Sequence, residues 1–99
     1  MNSSGARNNR IALMGKGWQK PVYIDADKFH AIALALLRVL DGNPIKFREL
    51  VSRVSNELPN FEDSVSWYTL SVSRELESRG QLIRHTSPVR YSQATDKRD

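Results

Sequence analysis

The sequence predicts a mainly α domain, a three-helix bundle closed at its C-terminal end by a small β-hairpin. Three observations carry that expectation. Apolar residues recur at helical spacing in three separate stretches, a glycine stops the last stretch at Gly80, and the pattern behind it changes to strand-like alternation. Two helices followed by helix, glycine, strand, turn and strand is the order of a winged helix-turn-helix.

The first helix is expected to start at Asp25, a good N-cap, with Asp27 in the first turn facing the positive end of the helix dipole. It stops at Asp41-Gly42-Asn43-Pro44, where Gly42 suits a left-handed C-cap and Pro44 blocks continuation. Phe29, Ile32, Ala33, Leu36 and Leu40 form one apolar stripe, and Leu34, Leu37 and Val39 widen it. Lys28, Ala31, Ala35 and Arg38 are left for solvent. Ile45 is expected to form one short strand before the second helix. That helix is the cleanest pattern, with Phe47, Leu50, Val51, Val54 and Leu58 on one face and Pro59-Asn60 at its end.

Glu62-Asp63-Ser64 supplies acidic and capping residues for the third helix, whose inner face is Val65, Tyr68, Val72 and Leu76. Behind Gly80, Leu82 and Ile83 open a strand, Ser87-Pro88 turns the chain, and Val89 and Tyr91 alternate with Arg90 and Ser92. The first ten residues are polar and poor in apolar side chains, which argues against local structure. The expected organisation is therefore a disordered basic arm over residues 1–17, a folded domain over 18–93 and a disordered tail over 94–99. Trp18 to Ile24 is expected to dock on the helices as an extended segment.

Ninety-nine residues suffice for one small domain. The chain has no cysteine, so it offers neither a disulfide framework nor a thiolate for zinc or catalysis. The apolar run Ile11 to Met14 is too short for a signal-peptide core, and no stretch reaches bilayer-spanning length. A cytoplasmic protein without a membrane partner is expected. The net charge of +4 is concentrated at the two ends. Arg7, Arg10, Lys16 and Lys20 face no acid before Pro21, whereas Glu62, Asp63, Glu75 and Glu77 outnumber Arg74 and Arg79 between Phe61 and Gly80.

Asp25 and Lys28-Phe29 at the head of the first helix, Trp67-Tyr68 in the third, Leu76-Glu77-Ser78-Arg79-Gly80 at its end and Pro88 in the hairpin carry a resemblance. With them the stretch from Tyr23 to Tyr91 resembles a bacterial winged-helix domain family of unknown function. The resemblance implies that fold and brings no established activity.

Two functions compete. Binding to double-stranded DNA would use Ser66, Ser71 and Arg74 on the outer face of the third helix, with Arg84 and Arg90 sharing one edge of the hairpin as a phosphate grip. Trp67 and Leu70 on the same helix read base edges poorly; Trp67 is expected to cap the core or pack against the arm that carries Trp18, and otherwise the two suggest a protein partner or a homodimer. DNA-binding or transcription regulation is the leading expectation, because the hairpin and both ends are basic. Catalysis is not expected: His30 and His85 lack partners at catalytic or metal-ligand spacing, and no Gly-x-Ser-x-Gly turn accompanies the serines. No cofactor and no metal are expected.

Overall fold

Two apolar residues on each of two short segments decide the first element. Ile11 and Leu13 alternate with Arg10 and Ala12, and Val22 and Ile24 alternate with Tyr23, so each segment can bury one side as a strand. The computed structural model, which describes residues 10–15 and 17–94, pairs them as an antiparallel hairpin. Strand β1 (Arg10–Leu13) lies against β2 (Val22–Asp25), with Ile11 opposite Ile24 and Leu13 opposite Val22. Ile24 and Leu13 are buried and Tyr23 faces outward, as the alternation requires.

Helix α1 (Ala26–Val39) follows without a break. The Asp25 side chain accepts the Lys28 N–H at 3.1 Å and caps it. Its buried residues are Ala26, Phe29, Ile32, Ala33, Ala35 and Leu36, while His30, Leu34 and Arg38 face solvent. The exposed strip is thus rotated from the expected one: Ala35 is inside and Leu34 outside. The end differs as well. Leu40 leaves the helix in an extended conformation with its N–H on the Leu36 carbonyl, and Gly42 takes no part as a left-handed cap.

Helix α2 (Phe47–Glu57) buries Leu50 and Val54, with Phe47 and Leu58 packed at the edge of the core. Helix α3 (Val65–Ser78) is capped by Ser64, whose Oγ accepts the Trp67 N–H at 3.1 Å. At the other end Gly80 has φ +79°, the Gly80 N–H reaches the Glu77 carbonyl and the Gln81 N–H reaches the Leu76 carbonyl. This double bond pattern around a left-handed residue is the Schellman stop that a glycine permits.

The second hairpin joins β3 (Leu82–His85) to β4 (Arg90–Gln93), with Arg84 opposite Tyr91 and His85 opposite Arg90. Ile45 bridges the far side of β4 through two backbone bonds with Tyr91, at 2.8 and 2.7 Å. One core gathers Leu13 and Ile24 from the first hairpin, the inner faces of all three helices, and Leu82 and Tyr91 from the second.

The architecture is therefore a small α+β domain of three helices and two β-hairpins at opposite ends of the sequence. This overturns the expectation of a mainly α winged helix-turn-helix with a C-terminal wing as its sheet. The strand β1 falls in the stretch assigned to the arm, and Leu13 in it has no exposed surface. The remainder of that arm over residues 1–9, with Arg7, lies outside the described residues, as do Lys16 and residues 95–99 of the tail.

Candidate interaction surface

Helix α3 carries the surface of interest because three of its sides are occupied. Tyr68, Val72 and Leu76 enter the core, and Thr69 and Ser73 are buried beside them. The Ser73 hydroxyl donates to the Leu70 carbonyl at 2.9 Å, whereas the Thr69 Oγ1 is buried without a partner among the described residues.

The segment after β1 covers a further side. A side chain at Gly15 would meet the Arg74 Cβ and the Trp18 ring at 2.8 Å, so only glycine permits this approach. The Met14 N–H donates to Glu75 Oε1 at 2.6 Å, and Arg79 Nε donates to the other oxygen at 2.8 Å. Glu75 is buried to the point that 9% of its side chain remains exposed, and both oxygens are engaged. The Arg79 guanidinium continues over the Phe29 ring, 5.3 Å from its centroid. A buried carboxylate thus fastens the first hairpin to α3.

What stays open on α3 is a stripe with Trp67 and Leu70 at its centre, 45% and 42% exposed. Trp67 leans edge-on against Tyr68, ring centroids 5.0 Å apart, so its orientation is held from below. At the N-terminal end, Asp63 receives the Lys28 ammonium at 3.1 Å and the Ser64 N–H at 2.9 Å. The Ser64 N–H and Lys28 hold the Asp63 carboxyl below the ordinary carboxylate range, and Asp63 in turn raises the Lys28 ammonium. At the other end stands Arg74, which forms no ion pair among the described residues.

The five residues assigned to a DNA surface are not brought together. Ser66 is exposed, but Ser71 is buried, with 5% of its surface exposed. Arg84 gives its Nε to Glu77 at 3.2 Å, with both side chains largely covered. Arg74 and Arg84 lie on the same side, near enough to Tyr91 to offset part of the rise that burial imposes on its phenol. Arg90 points to the opposite face of the second hairpin, beside His85. The expected shared edge of Arg84 and Arg90 is corrected by this register: the two residues differ in parity relative to the turn.

Arg90 joins a different feature, unseen in the sequence. With Pro44, Ile45, Lys46, Glu49 and Arg53 it lines an open depression of about 420 Å³ at the start of α2. Three of those residues are cationic, and Glu49 is paired to Arg53 at 2.9 Å. Another unforeseen contact is His85 Nε2 to Ser92 Oγ at 2.8 Å. Ser92 is buried, so this pair braces the hairpin and presents no nucleophile. Among the described residues no group of three His, Asp or Glu side chains could hold a metal ion, and no helix is long and apolar enough to cross a membrane.

The fold and its open side define a small α+β domain whose most distinctive surface is an apolar helix stripe. Residues 14–91 match a family of unknown function (DUF6958), and the chain belongs to that family. No curated protein and no solved structure matches it.

Proposed function

We propose that the chain is a non-catalytic interaction module that engages a protein through Trp67 and Leu70 on α3. The observation that carries this reading is their exposure on a helix whose other sides are packed. A tryptophan more than two-fifths exposed on a rigid helix is the side chain that most often anchors an interface. Its ring is already positioned by Tyr68, so little conformational freedom is lost on docking. We place this role in the cytoplasm, consistent with a cysteine-free chain that needs no oxidising compartment.

Binding to double-stranded DNA is a second reading, supported now by the cationic depression of Lys46, Arg53 and Arg90 rather than by α3. Phosphate contacts of that kind release counterions, so affinity would fall steeply with salt.

A photo-crosslinking residue in place of Leu70 in cells separates these readings, with exposed Ser52 on α2 as the control position. The interaction reading expects protein adducts at position 70 and none at 52. The absence of any adduct at position 70 overturns it. Salt-sensitive duplex binding that Arg90→Ala with Lys46→Ala removes, together with no adduct at position 70, establishes the DNA reading instead.

A further inference from the structure

The head of α2 and the second hairpin place two cations side by side. Ile45 and Tyr91 exchange both backbone bonds in an antiparallel bridge. The chain stays extended through Lys46, at φ −72° and ψ 156°, so the same register sets Lys46 opposite Arg90. Next to a pair that exchanges both bonds, opposed side chains come closest, and like charges so placed repel. The neighbour of Arg90 across the hairpin is His85, which brings no negative charge and whose Nε2 lies 2.8 Å from Ser92 Oγ. Neither Lys46 nor Arg90 forms an ion pair among the described residues. Glu49, the carboxylate of the depression they line, accepts Arg53 Nε at 2.9 Å, and Arg53 Nη1 donates to the Val39 carbonyl at 3.2 Å. Glu49 and Arg53 offset each other, so the charges of Lys46 and Arg90 are left over.

We propose that this depression binds a terminal phosphate group, free or carried by a small molecule, between Lys46 and Arg90. Charge selects the ligand. A phosphate monoester near neutral pH carries about two negative charges, the number that balances the pair. A phosphodiester carries one and leaves the excess half answered. A dianion between the two cations also turns their mutual repulsion into two attractions. The planar Arg90 guanidinium suits two phosphate oxygens side by side, and the Lys46 ammonium meets a third as a point charge. The bridge at Ile45 fixes the backbone under both cations, and Arg53 is held by Glu49 and Val39, so the wall needs little ordering. The depression, about 420 Å³, exceeds one phosphate, and Pro44 and Ile45 offer apolar surface to an attached organic group. The site uses no residue of α3 and stands apart from the Trp67–Leu70 surface. It shares the depression with the DNA reading but asks for a dianion, which a nucleic-acid backbone does not carry.

NMR titration of the labelled full chain with orthophosphate, slightly above neutral pH and at constant ionic strength set with chloride, tests the proposal. Amides of Lys46, Glu49 and Arg90 should shift saturably, with a Kd of about a millimolar or tighter. Arg90→Gln and Lys46→Gln should each weaken binding about tenfold. Arg48→Gln removes an exposed cation of α2 outside the depression and should change it less than about twofold. Dimethyl phosphate, a monoanion, should bind at least about tenfold more weakly than orthophosphate. Phenyl phosphate separates the two sources: tighter binding than orthophosphate assigns the site to a phosphorylated small molecule, and equal binding to free phosphate. Orthophosphate should raise the Tm of the wild type above its value in chloride and leave that of Arg90→Gln unchanged, and the same melts show that each variant is folded. Absence of a saturable shift at Lys46 and Arg90 up to about 20 mM orthophosphate overturns the proposal. An equal loss in Arg48→Gln also overturns it, because it marks a diffuse positive field. Dimethyl phosphate binding as tightly as orthophosphate, or a duplex bound through Lys46 and Arg90 while orthophosphate shifts nothing, returns the depression to the DNA reading.

Discussion

Replacing Glu75 by alanine should release the first hairpin from α3 without dismantling the helices. The carboxylate makes two contacts that differ in worth. Its bond from the Met14 N–H is short, at 2.6 Å, and joins residues 61 apart in sequence. A hydrogen bond to a charged acceptor in such a setting contributes about 1.5–3 kcal/mol. The pair with Arg79 adds less, because 44% of the arginine side chain is exposed and water screens it; about 0–1 kcal/mol is reasonable. Glu75→Ala should therefore cost about 1.5–4 kcal/mol in urea unfolding. Glu75→Gln keeps one oxygen for the Met14 N–H and loses the charge, so it should cost roughly half as much. Hydrogen exchange locates the effect. Amides of β1 and β2 should exchange faster in Glu75→Ala, while those of α2 should follow global stability only. The reasoning is refuted if Glu75→Ala melts within about 0.5 kcal/mol of the wild type, or if β1 exchange does not change relative to α2.

Two further outcomes follow from other parts of the fold. Gly80→Ala should cost about 1–2 kcal/mol in chemical melts, because φ is +79° while no atom lies near the added methyl, so the whole cost is conformational. Burial pushes the Tyr91 phenol above its ordinary value, so the folded state holds its proton more tightly than the unfolded chain. The stability this supplies is complete below the unfolded tyrosine value of about 10 and is lost as pH rises through the folded value. Melts between about pH 8 and about pH 11 should show the wild type losing stability faster than Tyr91→Phe.

The helices were legible from their apolar spacing and, for two of them, from their N-caps. Asp25 and Ser64 cap as their chemistry suggests, Gly80 stops α3, and the inner residues of α2 and α3 lie where their spacing puts them. The first hairpin was hidden by its shortness. Each strand offers two inward apolar residues, and the connection from Met14 to Pro21 carries no tight-turn signature. Two buried positions were also misplaced. Ala35 of α1 was left for solvent and Ser71 of α3 was treated as accessible, although the structure buries both. The anchor at Glu75 could not be seen because its partner is a backbone N–H, which no residue type advertises. Arg84 and Arg90 were assigned one edge because hairpin parity depends on the turn register, and Ser87-Pro88 does not determine it. Helical phase separates Trp67 and Leu70 from Tyr68 and Val72, yet the size of the indole argued for burial, whereas the structure leaves Trp67 45% exposed.

The bond from Met14 to Glu75 also orders events during synthesis. The first hairpin leaves the ribosome early, yet the carboxylate that fastens it and the α3 surface that receives it are made some sixty residues later. Until then Leu13 and Ile24 have no complete core to enter. A nascent or truncated chain that ends before α3 therefore displays sticky strands with unpaired edges, the kind of segment that chaperones hold and proteases clear. An amber stop anywhere in α2 should yield an insoluble or rapidly degraded fragment and not a smaller folded protein.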